Sequence, residues 1–261
     1  MKEKFIIQNE QYSFPYHWIQ YGDYEGFNLF CKVFSKGRFW YKSATDEFVK
    51  MIVAREPMSI LDVGRGDGLL LAHIADALQG SELWGVDLSK EAINFAYAFR
   101  PELNWLAGDF REINRKFECI TCIETLEHIP DESIQDFVRG LYDKLEDNGE
   151  LIVSVPTICK PVSPKHYRHY TINLLKEEFK EVESNLELVD FYYMNKETKL
   201  ANLYYQVFCK ANSCRIKVVE KIFYAYYLRK CLYGTSEREC LRLVARFVKK
   251  KKVADTYMKK E

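Results

Sequence analysis

The chain lacks any apolar run approaching the roughly 18 residues that a membrane-spanning helix needs. Its beginning lacks the long apolar stretch and small-residue cleavage site of a secretory signal. It also lacks net charge, because 38 lysines and arginines balance 38 aspartates and glutamates. These absences predict a soluble, cytoplasmic protein, and 261 residues suffice for one α/β domain with appendages.

The eight cysteines lack the spacing of a zinc site. Cys119 and Cys122 form a single CxxC, but it falls inside an apolar run that predicts a buried strand. A zinc site would need a second cysteine pair or a matching histidine cluster. We therefore expect buried free thiols in a reducing compartment.

Composition divides the chain into three parts. Residues 1–42 hold 13 of the 39 aromatic residues and are interpreted as an aromatic-rich N-terminal cap. Residues 43–211 alternate strand-like and helix-like segments, which predicts a doubly wound, Rossmann-like and mostly parallel sheet. From Arg215 onward 14 lysines and arginines stand against 5 acidic residues, and residues 212–261 are predicted to form a basic helical extension.

Within the central part, short apolar strands alternate with amphipathic helices. Strands are predicted at 59–63, 82–86, 117–123, 151–155 and 186–194, with a closing, antiparallel strand at 203–210. Helices are predicted at 69–78, 90–97, 134–145 and 171–182. Because ligands bind at the carboxyl ends of strands in such sheets, functional residues are expected just after the predicted strands.

The first strand is followed by a glycine-rich turn containing Gly64, Gly66 and Gly68. Glycines here let the backbone approach a ligand closely and turn sharply into a helix. A dinucleotide fingerprint would read GxGxxG and present a helix end to a pyrophosphate, but here the third glycine comes one residue early. Asp62 and Asp67 add negative charge, which favours a cationic ligand and ranks a nicotinamide-dependent oxidoreductase last.

Acidic side chains also follow the later strands. Asp87 ends the second strand, where a carboxylate can accept hydrogen bonds from both hydroxyls of a ribose. Asp109 and Phe110 offer a carboxylate for an adenine amino group and a ring beside the base, and Glu124 ends the next strand. Their succession predicts a nucleoside-binding edge of the sheet.

Taken together, these segments resemble the class I S-adenosylmethionine-dependent methyltransferases, most of all the group containing the ubiquinone-biosynthesis O-methyltransferases. The resemblance covers roughly residues 55–195. Its matching stretches are Ile60-Leu-Asp-Val-Gly-Arg-Gly-Asp-Gly68, Gly85-Val-Asp-Leu-Ser89, Gly108-Asp-Phe110, Ile123-Glu-Thr-Leu-Glu-His-Ile-Pro130 and Asn148-Gly-Glu-Leu-Ile152.

The resemblance implies S-adenosylmethionine as the methyl donor. It implies that Gly64 and Gly66 lie under the methionine part, that Asp87 holds the ribose and that Asp109 holds the adenine. The whole predicted cofactor-binding set is Asp62, Gly64, Gly66, Gly68, Asp87, Leu88, Asp109 and Phe110. Arg65 departs from the family, which usually has a small residue or cysteine there, and it keeps open a non-catalytic binding protein that retains the fold.

A hydroxyl acceptor would need a base or a metal ion to remove its proton. The candidate catalytic residues are Glu124, His128 and His169, with Glu127 and His166 beside them in sequence. The pattern Glu-x-x-Glu-His with a later histidine also resembles the metal-binding arrangement of small-RNA 3′-terminal 2′-O-methyltransferases. We rank a divalent metal below a metal-free site, because Leu-Glu-His-Ile-Pro is widespread in relatives without that RNA activity.

The predicted reaction is O-methylation of a small molecule with a sugar, nucleotide-sugar or quinone-like acceptor. The alternatives are a metal-assisted RNA 2′-O-methyltransferase and the non-catalytic protein. A nucleic-acid partner is not expected, because no recognisable binding module is present. In the cap, the aromatic stretches 14–18 and 39–41 either close over the cofactor or cover a sheet edge.

In the basic extension, apolar residues at 241, 244, 245 and 248 and arginines at 238, 242 and 246 keep a helical spacing. Such a helix would contact a membrane surface, an anionic substrate or a partner subunit. It would otherwise form a helical hairpin that packs on the domain with a solvated basic face.

Overall fold

A computed structural model of the chain describes residues 2–21, 38–64, 66–204, 206–207 and 217–251. The strands are β1 (Ser59–Val63), β2 (Glu82–Asp87), β3 (Asn104–Ala107), β4 (Phe117–Ile123), β5 (Leu145–Pro156), β6 (Leu186–Lys196), β7 (Tyr233–Gly234) and β8 (Cys240–Lys249). The α-helices are α1 (Lys2–Asn9), α2 (Tyr16–Tyr21), α3 (Arg38–Val53), α4 (Leu69–Ala77), α5 (Lys90–Phe99), α6 (Ile134–Lys144), α7 (Ile172–Glu178), α8 (Lys199–Tyr204) and α9 (Lys217–Lys230).

The strands form one sheet in the order β3-β2-β1-β4-β5-β8-β6-β7. Strands β1 to β5 pair in parallel, and β8 runs antiparallel to both of its neighbours, β5 and β6. The predicted doubly wound, mostly parallel sheet with an antiparallel strand is confirmed. Because β1 to β4 are parallel, the residues that follow them meet at one edge of the sheet.

Both faces of the sheet are covered, so its central strands are largely apolar. In β1, Leu61 and Val63 join one buried cluster with residues of α6, whereas Ile60 joins a second cluster with residues of α3 and α4. Successive side chains of a strand point to opposite faces, which places one cluster on each face. This double burial explains why Ile60, Leu61 and Val63 are all apolar, although they point to different faces.

The prediction of a wholly helical C-terminal extension is wrong. Helix α9 forms, but residues 240–249 are strand β8, inserted between β5 and β6. The apolar spacing fits a helix, yet Leu243, Ala245 and Phe247 also alternate as in a strand and are buried in the sheet's core. Two neighbouring strands satisfy the β8 backbone on both sides, and this tertiary pairing decides the outcome.

The closing antiparallel strand is therefore β8 and not the predicted segment 203–210. Residues 203–204 end helix α8, and residues 205 and 208–210 lie outside the described residues. Short β3 was not predicted at all. Arg65 and the end of the basic tail, residues 252–261, also lie outside the described part of the chain.

The predicted burial of Cys119 and Cys122 within a strand is confirmed. Cys119 and Cys122 are free thiols buried in β4. Burial raises the pKa of Cys122 well above its ordinary value, so this thiol stays protonated. Among the described helices, none has the length and apolar character that crossing a membrane would require.

Candidate active site

The turn after β1 is built so that only glycine fits. Gly64, Gly66 and Gly68 have positive φ angles of 78°, 62° and 76°. A Cβ added to Gly64 would lie 2.4 Å from the methyl carbon of Thr125, and one added to Gly66 would lie 1.9 Å from the hydroxyl oxygen of Tyr12. Conformation and close packing therefore both require glycine here.

Two aspartates of this segment, one before the turn and one within it, have protein partners. Asp62 is buried in β1 and accepts a hydrogen bond from the Thr121 hydroxyl at 2.6 Å, which ties β1 to β4. Asp67 is fully buried and contacts His17, with 2.8 Å between His17 Nδ1 and Asp67 Oδ1. Both acids are therefore held by protein partners at the base of the site.

Asp87 lies at the tip of β2, directly against the glycine turn. One carboxylate oxygen accepts the Gly66 N–H at 2.8 Å, and the other accepts the Ser89 N–H at 2.8 Å. Burial raises the pKa of this carboxyl. A carboxylate has about four lone-pair sites, so two backbone bonds leave capacity for ribose hydroxyls. The next side chain, Leu88, is exposed beside it.

Asp109 follows the neighbouring strand β3, and the Gly108 N–H donates to the Asp87 carbonyl at 3.0 Å. Asp87 and Asp109 thus lie at the same edge of the sheet on adjacent strands. The Asp109 carboxylate is paired with Arg111, whose hydrogen bonds lower its pKa. The Phe110 ring was expected beside an adenine base, but it is buried in the core against Phe137.

Residues 2–21, which we call the cap segment, cover this edge. Trp18 donates its indole N–H to the Asp67 carbonyl at 2.8 Å and stacks on Phe99. Tyr12 is buried over Gly66, and His17 stacks on Tyr41 of α3. The rings of the cap segment therefore pack on the glycine turn at this edge, and closure over the cofactor stays a prediction.

The cap segment also reaches the loop between β5 and α7. The Lys4 ammonium donates to the carbonyls of Pro164 and His166 at 3.1 and 2.5 Å. Lys165 in turn donates to the Gln11 side-chain oxygen at 3.1 Å. One segment therefore spans the predicted cofactor side and the predicted acceptor side of the site.

Three of the sequence-derived polar residues converge on the acceptor side. The ligand-type atoms of Glu127, His128 and His166 all lie within 4.8 Å of one another. Burial lowers the pKa of His128 to about 4 and that of His166 to about 3, so both imidazoles are neutral at ordinary pH. Burial raises the pKa of Glu127 well above its ordinary value.

Of the predicted catalytic residues, the two histidines lie at this cluster, whereas Glu124 pairs with other residues. His128 belongs to this cluster, and His169 touches it through His166, with 2.9 Å between His166 Nδ1 and His169 Nε2. Glu124 accepts a hydrogen bond from Ser154 at 2.9 Å and pairs with Arg242 of β8 at 3.3 Å.

The sequence interpretation missed three features of this site. It left His166 outside the catalytic set, although the spacing of three between His166 and His169 in a loop was visible. It did not single out Tyr12, whose place over Gly66 depends on how the cap segment folds back. It also assigned Arg242 to a helix face, which hid its pairing with Glu124.

Comparisons with known proteins agree with this fold and site. A family model described as a methyltransferase domain matches residues 39–208. The chain belongs to this methyltransferase family. The resemblance to the class I S-adenosylmethionine-dependent methyltransferases is confirmed.

Curated relatives match part of the chain. A ubiquinone biosynthesis O-methyltransferase of Rickettsia conorii is 31% identical over 41% of this chain and 38% of its own length. The enzyme of the same name from Pseudomonas savastanoi is 30% identical over 44% of this chain and 53% of its own length. The chain thus spans about half or less of the length of these relatives.

Solved structures share the fold at low identity. Magnesium protoporphyrin IX methyltransferase from Synechocystis is similar with a TM-score of 0.62 and 16% identity, covering 94% of this chain and 99% of that one. The methyltransferase domain of bacterial CtHen1 is similar with a TM-score of 0.56 and 14% identity, covering 80% and 98%.

Proposed function

We propose that this methyltransferase uses S-adenosylmethionine to methylate a hydroxyl oxygen of a small molecule. The leading acceptor classes are a sugar, a nucleotide sugar and a quinone-like ring. The observation that carries the proposal is Asp87, a partly buried carboxylate that keeps spare lone pairs and lies against the glycine turn. The names of the curated relatives support oxygen as the acceptor atom.

The residues at this edge fit the cofactor. Asp87 would hold the ribose hydroxyls, and the turn at Gly64 and Gly66 would lie under the methionine part. Leu88 offers an apolar surface, and Asp109 could meet the adenine amino group once it is released from Arg111. When bound, the cofactor supplies a methyl group already activated on a sulfonium, so the protein mainly has to align donor and acceptor.

On the acceptor side, a side chain must still accept the proton of the hydroxyl group. The cluster of Glu127, His128 and His166 supplies the proton acceptors that adjoin one another there. His128 stays the candidate base, and His169 would act on the cluster by orienting His166. Glu124 would contribute by fixing the β8 strand through Arg242.

Calorimetric titration of the full chain with S-adenosylhomocysteine tests the cofactor assignment. Asp87→Asn should weaken binding by about ten- to a hundredfold, because hydrogen bonds to a charged group contribute about 1.5–3 kcal/mol. Asp76→Asn is the matched control, since Asp76 lies on α4 and pairs with Arg100. Absence of binding by the wild-type chain would support the non-catalytic alternative instead.

Transfer of a labelled methyl group then identifies the acceptor class. The panel should contain catechols, sugars, nucleotide sugars and a short RNA, each with purified full-length chain. Product on any of the first three supports the proposal. Label appearing in RNA alone would replace it with the nucleic-acid alternative.

A further inference from the structure

Arg242 lies at the edge of the candidate site although it belongs to the last described strand, β8. Because β8 runs antiparallel to β5, the beginning of β8 lies beside the end of β5, where Arg242 pairs with Pro156. The guanidinium extends past β5 to Glu124, the residue that follows β4. A cation from β8 therefore reaches the edge of the sheet that carries the candidate site.

A buried polar network orients this guanidinium. Arg242 Nη1 donates to the Asn195 side-chain oxygen at 2.6 Å. Asn195 is fully buried, and its amide nitrogen donates to the hydroxyls of Tyr227 at 2.9 Å and Ser43 at 3.3 Å. Residues of α3, β6 and α9 thus hold the arginine in one position. A ligand that binds a group already held in place loses less conformational entropy.

The guanidinium of Arg242 keeps unused hydrogen-bond donors. Its Nε lies 3.3 Å from Oε1 of Glu124, yet this nitrogen is buried without a hydrogen-bond partner among the described residues. Within the same part of the chain, Nη2 also lacks a hydrogen-bond partner. The side chain is 16% exposed, so a ligand can reach it. Because an unsatisfied buried donor is unfavourable, a ligand that accepts these N–H groups would stabilise the site.

Both residues that contact the guanidinium have a left-handed backbone conformation. The φ angle is 53° at Glu124 and 60° at Asn195. Non-glycine residues rarely adopt this conformation, and asparagine tolerates it better than glutamate does. Strained residues cluster at ligand sites, where the surrounding structure holds them in place. Their meeting at one arginine therefore indicates a ligand site independently of the unused donors.

The tip of β4 connects Arg242 with the glycine turn. Thr125 directly follows Glu124, and its hydroxyl oxygen lies 3.2 Å from the Gly64 carbonyl oxygen. Two successive residues thus contact the guanidinium on one side and the turn on the other. A ligand bound at Arg242 would therefore lie beside the predicted position of the cofactor's methionine part, which is where an acceptor has to be.

We propose that Arg242 binds an anionic group of the methyl acceptor, either a carboxylate or a phosphate. The planar fork of arginine donates two parallel hydrogen bonds to either group. Without an acceptor, Glu124 partly neutralises the guanidinium, and the anion of the acceptor would share or replace this pairing. The inference rests on the proposed function and narrows it, because it selects acceptors that carry negative charge over neutral sugars and catechols.

The test compares anionic probes with neutral partners in calorimetric titrations of the full-length chain, with and without S-adenosylhomocysteine. A catechol carboxylate is compared with its amide, and glucose-1-phosphate is compared with glucose. At least one anionic probe should bind about 10- to 100-fold more tightly than its partner, as expected for hydrogen bonds to a charged group. The pair that shows the preference distinguishes a carboxylate from a phosphate. Arg242→Ala should abolish the preference, and Arg242→Lys should restore only part of it.

Two further variants separate ligand binding from a structural role. Glu124→Gln removes the competing charge and should tighten binding of the anionic probe several-fold, which a purely structural ion pair would not do. Arg246→Ala is the matched control, because Arg246 also lies on β8 and pairs with a glutamate, Glu150, at 2.7 Å. It should leave the preference unchanged. Circular dichroism checks that each variant is folded, and Arg242→Lys with Glu124→Gln decides the test if Arg242→Ala is not.

Three results would overturn the inference: no saturable binding of either anionic probe, equal affinities within both pairs, or a preference that survives Arg242→Ala. A tenfold loss of S-adenosylhomocysteine affinity in Arg242→Ala would also overturn it, because the guanidinium would then bind the carboxylate of the cofactor. Binding of S-adenosylhomocysteine without a preference for anions refutes only this inference. A preference for anions without S-adenosylhomocysteine binding refutes only the proposed function.

Discussion

Gly66→Ala should destabilise the protein more than its backbone conformation alone can explain. Gly66 has a φ of 62°, and a left-handed conformation costs a non-glycine residue about 1–2 kcal/mol. Its new Cβ would also lie 1.9 Å from the Tyr12 hydroxyl oxygen and 2.5 Å from a ring carbon. Forced overpacking of this kind costs about 1–3 kcal/mol more.

Gly80→Ala isolates the backbone contribution. Gly80 has a φ of 90°, yet a Cβ built there meets nothing within 4 Å. We therefore expect a loss of about 1–2 kcal/mol for Gly80→Ala and about 2–5 kcal/mol for Gly66→Ala in urea-induced unfolding. Trp18 fluorescence should change only in Gly66→Ala, because Trp18 belongs to the cap segment that Tyr12 anchors.

A double-mutant cycle with Tyr12→Ala tests whether contact with the Tyr12 ring causes the extra loss of stability in Gly66→Ala. In the Tyr12→Ala background the ring is gone, so Gly66→Ala should cost no more than Gly80→Ala. Equal losses for Gly66→Ala and Gly80→Ala in the wild-type background would refute the packing of the cap segment over the glycine turn.

Three further predictions concern buried charge. Asp67→Asn removes the charged partner of His17 and should increase protease cleavage within the cap segment several-fold. Burial raises the pKa of Glu178 to about 7 from an ordinary 4.5, so its folded form keeps a proton that the unfolded chain releases. Relative to Glu178→Gln, the wild-type free energy of unfolding should thus fall between pH 4.5 and 7, and urea titrations across this range check it. Arg242→Ala leaves Glu124 without its cation and should cost about 1–3 kcal/mol by the same assay.

The sequence predicts elements well where one local pattern dominates. Strand β1 follows from a short, mainly apolar run that ends at a glycine turn, and helix α4 follows from its apolar helical face. Strand β8 fails because its apolar residues satisfy both a helical and an alternating period. Only pairing with β5 and β6, which are distant in sequence, selects the strand.

The same distinction between local patterns and long-range contacts applies to the residues of the site. Asp87 and Asp109 come together because the parallel strands β2 and β3 bring their ends to one edge. The apolar pattern predicts β2, but it does not predict the short strand β3 that places Asp109 there. Glu124 lies at another such end, yet its partner Arg242 arrives on β8, and this long-range pair removes it from the acceptor cluster. His166 joins the cluster through a loop whose path no periodic pattern encodes.

The parts that close the site lie outside the part that identifies the family. The family match covers residues 39–208, whereas the cap segment precedes it and β8 follows it. The cap segment nevertheless contacts both the glycine turn and the loop that carries His166. A segment that contacts both sides of a transfer site can affect how donor and acceptor are aligned. We therefore expect acceptor selectivity to change with substitutions in the cap segment, while cofactor affinity follows the matched domain through Asp87.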